Sequence, residues 1–224
     1  MAAIVNNSGS PGPTPTSVSP EGTGGLMMDS GTILRKAEMS RLSIFPDHGD
    51  GRGDALPLPK LVCNDPASIQ AELADRGIGF EQWPAAHALP PDADESTILA
   101  SYASEVSRVQ RDGGYQTVDA IRMTPDHPER EVLRSKFLSE HTHAEDEVRF
   151  FVEGQGLFSL HINQEVLVTL CERGDLISVP AGTRHWFDMG PTPSFCALRF
   201  FNNSEGWVAT FTGDSIAERF PQLD

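Results

Sequence analysis

The spacing of hydrophobic and polar positions changes from a helical period to a period of two near residue 115. Upstream, two stretches carry apolar residues at three- and four-residue steps. The first starts at residues 65–66, where Asp and Pro are typical of an N-cap and a first helical turn, and it ends at Gly77. The second runs from the acidic residues 94–95 to the glycines at 113–114. We therefore expect two helices that cover a core and carry no site of their own.

Downstream of residue 115 the sequence consists of short β-branched and aromatic runs. Turn residues at 154–156, 163–164 and 173–175 separate several of these runs. The runs read VRFFVEG, LFSLHI, EVLVTL, DLISVPAG, RHWFDMG and FCALRFF. Short strands at this spacing predict a mainly β fold, a single antiparallel barrel of the jelly-roll type with a few peripheral helices.

The first 38 residues differ in composition from the rest of the chain. Residues 1–25 combine four prolines with Ser, Thr, Asn and Gly, which bury too little apolar surface to offset the entropy of ordering. No Lys or Arg precedes Arg35, so an arginine-rich transit peptide is a poor match. We expect residues 1–38 to be a disordered extension and residues 39–224, beginning at Met39, to form one domain.

Charge and cysteine content narrow the functional class. The chain has 17 Lys and Arg against 32 Asp and Glu, a formal net charge of −15, which disfavours nucleic acid and anionic membrane surfaces as partners. Its three cysteines form no C-x-x-C pair, and no apolar run is long enough to span a bilayer. These features predict a cytoplasmic protein, with the nucleus as the alternative in a eukaryote. No heptad or edge-strand signal indicates assembly, so we expect a monomer.

Three histidines and one glutamate have the spacing of a metal site. His141 and His143 stand two apart in an extended segment, so their side chains share a face, with Cα atoms roughly 6.6 Å apart. Glu147 has the same parity, and His185 follows the turn at 180–182. Mixed nitrogen and oxygen ligands suit Fe, Mn, Ni or Cu, whereas structural zinc more often takes cysteine-rich sets. Four such ligands on a six-coordinate ion leave two positions for substrate or water.

An arginine shares the inward face predicted for Glu147. Arg149 and Phe151 have the parity of Glu147, and Phe187 has that of His185. A buried guanidinium is costly unless an opposite charge pairs with it, and Glu147 would be partly committed to a metal. An anionic substrate that chelates the ion and pairs with Arg149 would supply that charge, while Phe151 and Phe187 provide apolar walls.

Other interpretations of these residues stay open at this point. A His-x-His pair also arises by chance as surface or core filler. That interpretation is given to the remaining histidines, His48, His87, His127 and His161. Arg149 has an alternative pairing with Glu145 or Asp146 at the mouth of the barrel.

The ligand positions resemble the two motifs of the cupin superfamily. The first motif is G, five residues, H-x-H, three or four residues, E, six residues, G, and Ser135 replaces its leading glycine. The second is G, five residues, P-x-G, two residues, H, three residues, N, and Met189 replaces its asparagine. The matching positions are His141, His143, Glu147 and Gly154 in the first motif and Gly174, Pro180, Gly182 and His185 in the second.

Beyond the superfamily, HTHAEDEVRFFVEGQGLF and PAGTRHWFDMG are similar to the acireductone dioxygenase family of methionine salvage, from about Met39 to the C-terminus. The resemblance implies one Fe(II) or Ni(II) per chain, an anionic enediol substrate that chelates it, and reaction with O2. The iron form would yield formate and 4-methylthio-2-oxobutanoate, and the nickel form formate, carbon monoxide and 3-methylthiopropanoate. Because affinity in a shared site favours nickel, the metal supply of the cell would decide between them.

The resemblance also implies roles for individual residues. The implied metal ligands are His141, His143, Glu147 and His185. Arg149 matches a catalytic residue that helps to generate the substrate dianion, and Phe137 and Phe187 match aromatic residues that contact the substrate. Glu140 and Asp146 match positions linked to metal incorporation and to local conformational change.

The same ligand set also suits other cupins. One alternative is a manganese oxalate oxidase or decarboxylase, and another is a sugar-phosphate isomerase; metal content and oxygen consumption would separate both from the dioxygenase. A third is a non-catalytic binding cupin in which the metal only sustains the fold. That alternative predicts that Arg149→Ala leaves stability and ligand binding nearly unaltered.

Overall fold

The computed structural model of the chain describes residues 39–47, 58–203 and 207–224. In these residues the protein is mainly β, and its strand pairings are antiparallel. The strands are β1 Arg41–Pro46, β2 Leu61–Cys63, β3 Gly79–Gln82, β4 Thr117–Met123, β5 His141–Thr142, β6 Glu147–Ile162, β7 Glu165–Glu172, β8 Asp175–Val179, β9 Arg184–Asp188, β10 Phe195–Phe201 and β11 Thr210–Phe211. The helices are α1 Pro66–Ala74, α2 Glu95–Ser101, α3 Ala103–Gly113 and α4 Arg130–Phe137, followed by a 3₁₀ turn at Ile216–Arg219.

Strand β6 joins the two halves of the barrel. Its first part, from Glu147, pairs with β8 and β10, and its second part, residues 155–162, pairs with β7 and β9. The two parts meet at Gly154, whose φ of 66° suits glycine and where a Cβ would collide with the backbone of β10 and the residue before it. The register between β6 and β10 also shifts close to this point, because the step from Cys196 to Ala197 in β10 spans two residues of β6, from Glu153 to Phe151. Because one strand serves both halves, the sheet curls into the predicted antiparallel barrel.

The middle of β6 is buried on both faces. Phe151 packs inside the barrel with residues of β1, β7 and β8, whereas Phe150 packs on the outer face with residues of α2 and α3. Tyr102, between those helices, is fully buried and meets Phe150 with ring centroids 5.9 Å apart. This two-sided burial explains why VRFFVEG lacks a simple alternation of polarity. Because side chains alternate along a strand, Glu147 and Arg149 point to the same inner face as Phe151.

The first predicted helix is confirmed, and the second is wrong in one respect. Helix α1 begins after Asp65, whose side chain caps its first turn at 2.9 Å, and Gly77 follows it with a φ of 78°. The single helix predicted from 94 to 114 is interrupted at Tyr102, which ends α2 and precedes α3. Burial of the Tyr102 ring, with its hydroxyl donating to the His87 carbonyl oxygen at 3.1 Å, fixes the break. No helix in the described ranges has the length and apolar character needed to cross a membrane.

Several elements are not evident from the sequence pattern, among them β1, β2, β3 and α4. Strand β1 has only six residues, and its partners are β2 and the distant β7. Strands β2 and β3 have three and four residues, and α4 buries none of its residues fully. The segment 1–38, predicted to be disordered, and His48 lie outside the described residues. A single domain over residues 39–224 stays a prediction.

Asp175 ties three segments of the barrel together, and its removal is expected to destabilise the fold. Its buried carboxylate accepts hydrogen bonds from Ser40 Oγ at 2.6 Å, Gln82 Nε2 at 2.9 Å and Glu172 N at 2.8 Å. Because Asp175→Ala removes that acceptor, we expect the free energy of unfolding in urea to fall by about 3 kcal/mol. The control, Asp112→Ala at the exposed end of α3, should change it by less than about 0.5 kcal/mol. Equal effects in the two variants would contradict this role.

Candidate metal centre

Four side chains meet where β5, β6 and β9 come together. His141 in β5 is the cross-strand partner of His185 in β9, so the two imidazoles share a face. Glu147 is the first residue of β6, and His143 follows β5 directly. The turn before β9 is attached to this segment, because Gly182 N donates to the His143 carbonyl oxygen at 2.9 Å. The local turn therefore brings the two motif segments into contact.

The four donor groups form a compact, buried cluster. One ligand atom from each of His141, His143, Glu147 and His185 lies within 4.8 Å of the others, and no member is more than 8% exposed. Glu147 Oε2 lies 3.0 Å from Nε2 of His143 and 3.0 Å from Nε2 of His185. The His141 and His185 rings are 4.5 Å apart between centroids. The structure thus brings together the four residues that the sequence predicts as ligands.

The hydrogen bonds of the three imidazoles determine where their hydrogens lie. Each Nδ1 lies 2.7 to 3.0 Å from a backbone carbonyl oxygen, in Ser139 for His141, Val208 for His143 and Thr183 for His185. A carbonyl oxygen only accepts, so each Nδ1 carries a hydrogen, and in the neutral imidazole each Nε2 keeps its lone pair. Three lone pairs and a carboxylate that face one another repel unless a cation lies between them. The donor set therefore fits a divalent metal ion.

Burial and charge set the protonation of the cluster. Burial, with the neighbouring His185 as the next cause, lowers the pKa of His141 to about 4, so this ring is neutral at pH 7. Burial alone would raise the pKa of Glu147, but the Arg149 guanidinium leads the effects that hold it well below its usual range. A neutral imidazole and an ionised carboxylate are the forms that bind a metal.

An open cleft of about 370 Å³ leads to the cluster. Phe137 of α4 and Phe187 of β9, both predicted to contact substrate, form part of its wall. Phe151, also predicted to do so, lies behind Phe187 in the core, with ring centroids 6.4 Å apart. Gly156 leaves room for the Phe187 ring, since a Cβ there would collide with it. The alternation of side chains along β6 therefore predicts the correct face of the strand for Phe151, but not that its ring lies behind the cleft wall.

Arg149 is buried beside Glu147 at the base of the cleft. Its Nε is 2.8 Å from Glu147 Oε1 but outside hydrogen-bond geometry, so neither atom has a hydrogen-bond partner among the described residues. Its Cζ is 4.5 Å from the Phe187 ring centroid, within cation–π range. The alternative partners, Glu145 and Asp146, bond to other groups, so that interpretation is wrong. Glu147 therefore neutralises the charge of the Arg149 guanidinium, whose N–H groups remain able to donate hydrogen bonds to a ligand.

Glu140 belongs to a buried polar chain next to the cluster. Its Oε1 lies 2.7 Å from His161 Nδ1, and its Oε2 accepts from Thr212 Oγ1 at 2.6 Å. His161 Nε2 lies in turn 3.0 Å from Asp47 Oδ2. The interpretation of His161 as filler is therefore incomplete, because this ring bridges two carboxylates and braces the residue that precedes His141.

Sequence reasoning missed several polar and aromatic residues that line the cleft. They include Asp119, Lys136, Arg199, Phe201, Trp207 and Phe211. Asp146 connects one of them to the motif turn, because its carbonyl oxygen accepts from Trp207 Nε1 at 3.0 Å and its Oδ1 accepts from Ala181 N at 2.9 Å. Alternation within FCALRFF was an available signal for Arg199, which shares a face with Phe201.

A β-barrel that gathers three histidines and a glutamate at the base of an open cleft defines a metalloenzyme of the cupin class. The model of the ARD/ARD' family matches residues 61–209. Relatives named acireductone dioxygenase are 92% identical in Parasynechococcus marenigrum (strain WH8102) and 72% identical in Synechococcus sp. (strain CC9902), each over 83% of this chain and all of the relative. The chain belongs to the acireductone dioxygenase family, a family of metal-dependent dioxygenases.

A solved structure supports the same fold. Acireductone dioxygenase from Bacillus anthracis, determined with a cadmium ion in its active centre, matches with a TM-score of 0.65 and 29% sequence identity. The match covers 78% of this chain and 99% of that one. The predicted mainly β cupin fold is therefore confirmed.

Proposed function

We propose that the chain cleaves the enediol acireductone, 1,2-dihydroxy-3-keto-5-methylthiopentene, with O2 as a step of methionine salvage. The proposal rests on the convergence of three Nε2 lone pairs and one carboxylate at the base of an open cleft. Family membership favours this function over an oxalate oxidase or decarboxylase, a sugar-phosphate isomerase or a non-catalytic cupin.

The proposed ligands of one Fe(II) or Ni(II) ion per chain are His141, His143, Glu147 and His185. When bound, the ion supplies Lewis-acid and redox chemistry at the base of the cleft. Arg149 is the proposed catalytic residue, because a substrate oxyanion would supply the hydrogen-bond acceptor that its guanidinium lacks among the described residues. The guanidinium would thereby favour the dianionic form of the substrate.

The proposed contacts to the carbon skeleton are aromatic. Phe137 and Phe187 stand on the cleft wall, where their rings would exclude water and contact the methylthio end of the substrate. Phe151 packs against Phe187 from behind, so we assign it the role of holding that ring in place rather than the direct contact suggested by parity.

In this proposal Glu140 and Asp146 do not bind the metal ion but hold the chain segments that carry its ligands. The Glu140 carbonyl oxygen accepts from Thr212 N at 3.1 Å, and its side chain is anchored by His161, so the residue fixes the start of the ligand segment. Asp146 ties the turn at Ala181 to Trp207 above the cleft. A change at either position would alter how the ligands are held rather than remove one of them.

The identity of the metal belongs to the proposal as well. The cadmium ion in the active centre of the Bacillus anthracis relative supports a site that accepts several divalent cations. Mixed imidazole and carboxylate ligation suits both Fe(II) and Ni(II), and intrinsic affinity favours nickel. Metal supply would then determine which ion the chain carries.

Metal exchange tests the proposal directly. The full chain is stripped of metal, reloaded separately with Fe(II) or Ni(II), and mixed with acireductone and O2. We expect the iron form to give formate and 4-methylthio-2-oxobutanoate, and the nickel form to give formate, carbon monoxide and 3-methylthiopropanoate, as identified by mass spectrometry and gas analysis. Turnover of oxalate by a manganese form, or no consumption of O2 with either metal, would reject the proposed function.

A cytoplasmic, monomeric protein without nucleic-acid partners remains a prediction from the sequence. The high excess of acidic over basic residues supports the last point. The small-molecule substrate and O2 are the partners that the proposed reaction requires.

A further inference from the structure

Arg199 is a second guanidinium at the cleft, outside the roles described above. It lies in β10 directly opposite Arg149 in β6, and cross-strand partners present their side chains on the same face. Both arginines line the cleft. Their Cζ atoms lie 5.3 Å (Arg149) and 5.6 Å (Arg199) from the centroid of the same Trp207 ring. The two positive charges therefore stand side by side above the candidate metal centre.

Asp119 holds Arg199 in a defined orientation. Arg199 Nε donates to Asp119 Oδ1 at 2.8 Å and Nη2 donates to Oδ2 at 2.6 Å, which fixes the plane of the guanidinium. The Nη1 group has no acceptor among the hydrogen bonds of the described residues. With its side chain 25% exposed, Arg199 can offer those N–H groups to a ligand in the cleft.

The cleft lining has more positive than negative side chains, although the chain as a whole is strongly negative. The lining carries three cations, Arg149, Arg199 and Lys136, against two carboxylates, Asp119 and Glu147. A divalent metal ion would raise that local excess further, whereas the chain as a whole has a net charge of −15. Glu147 and Asp119 each neutralise one of the two opposed guanidinium groups, so the excess positive charge of the metal-loaded cleft comes from Lys136 and the ion, and this excess favours a multiply charged anion.

We propose that Arg199 is a second anion-binding residue of the cleft that selects a doubly charged, chelating ligand, and that Asp119 is its positioning residue. The inference rests on the proposed function, for which the ligand is the enediol dianion. Arg149 donates to the ligand next to the metal centre, and Arg199, on the neighbouring strand, offers the N–H groups of its Nη1 to the same ligand.

Substitution of Arg199 in the full, metal-loaded chain tests the inference. Arg199→Gln is compared with Arg122→Gln, a control in the adjacent β4 whose arginine is 19% exposed, pairs with Glu153 and does not line the cleft. Acireductone is titrated anaerobically into the Fe(II) form by its absorbance change. We expect Arg199→Gln to raise Kd and KM about 10- to 30-fold with kcat changed less than about 3-fold, and Arg122→Gln to change neither.

Two readouts separate ligand binding from a structural role. Oxalate and glycolate, a dianion and a monoanion that both chelate, are titrated by calorimetry into the Ni(II) form. Arg199→Gln should weaken oxalate at least about 5-fold more than glycolate, while its Tm stays within about 2 °C of the parent because a partly exposed ion pair contributes little. Asp119→Asn removes a negative charge from the cleft lining but also loosens Arg199, so a Kd for acireductone that rises despite the lost charge supports the positioning role, and an unchanged or lower Kd rejects it.

The outcomes are distinct for the two proposals. An unchanged Kd in Arg199→Gln, or equal weakening of oxalate and glycolate, overturns the role of Arg199 while leaving the dioxygenase intact. A large fall in Tm with normal affinity assigns Arg199 a structural role and also overturns it. Failure of the parent Fe(II) chain to consume acireductone and O2 removes the proposed function instead.

Discussion

His185→Ala is expected to abolish stable metal binding and, with it, oxygen consumption. His185 is the one predicted ligand contributed by the second motif, and its Nε2 lies 3.0 Å from Glu147 Oε2. Losing even an outer-shell partner of a metal ligand costs about 10- to 100-fold in affinity, so losing the ligand itself should cost more. After dialysis we expect metal content to fall from one ion per chain to less than about a tenth, as measured by plasma mass spectrometry.

His185 is preferred to Glu147 for this test because Glu147 also neutralises the buried Arg149. Removing the glutamate would leave an uncompensated charge and unfold part of the barrel for a reason unrelated to the metal. The matched control is His87→Ala, an exposed histidine outside the cleft. It should retain both the ion and the activity.

A chelator supplies an independent measurement of the same site. An ion present at a thousand times its Kd stabilises the folded state by about 4 kcal/mol, which for a domain of this size raises Tm by roughly 8 to 16 °C. We expect chelation to lower the Tm of the parent and of His87→Ala by that amount and to leave His185→Ala unaffected. If His185→Ala kept one ion per chain and its Tm fell on chelation as that of the parent does, His185 would not be a metal ligand.

Much of the candidate metal centre could be predicted from the sequence, because the relations within each motif depend on short-range geometry. His141 and His143 share a face by strand alternation, and the turn around Gly182 sits at a fixed distance from His185. Each of these relations involves a few consecutive residues, whereas the meeting of His185 with the other ligands depends on the β5–β9 pairing and was expected from the resemblance to the two cupin motifs. Strand alternation also gave the inward direction of Arg149.

The rest of the cleft depends on strand register, which the sequence pattern does not contain. Arg199 meets Arg149 only because β10 pairs with β6 in one particular register, and Asp119 reaches Arg199 because β4 pairs with β10. Trp207 and Phe211 come from a segment after the last long strand. The sequence pattern also does not show how far a side chain lies from the cleft. Phe151 is on the same face of β6 as the cleft residues, but its ring lies behind that of Phe187.

Long-range burial also overrode local helical periodicity. The apolar spacing from 94 to 114 predicts one helix, but the fully buried Tyr102 packs on Phe150 and donates to the His87 carbonyl oxygen. Holding that ring in the core places Tyr102 outside the helical region, with φ of −113° and ψ of 27°. A tertiary contact of this kind decides the break, and no helix-ending residue marks it.

Arg149→Gln is expected to lower kcat/KM by about 10²- to 10³-fold, the loss typical of removing one preorganised donor to a developing anion. Arg149 is 4% exposed, its Nε is 2.8 Å from Glu147 Oε1, and its Cζ is 4.5 Å from the Phe187 ring centroid. A glutamine keeps polarity but loses the charge that favours a dianionic substrate. We expect the decrease to appear chiefly in kcat, unlike the KM effect at Arg199, with metal content unchanged.

Arg149→Lys distinguishes charge from geometry at that position. A lysine retains the positive charge but lacks the planar fork, so it should recover only part of the activity that Arg149→Gln loses. Metal content and Tm are measured in both variants, because removal of a buried ion-pair partner can also destabilise the fold. If Arg149→Gln remained folded and metal-loaded with kcat/KM within about 10-fold of the parent, the guanidinium would have no catalytic role, since a preorganised donor to a developing anion contributes more than that.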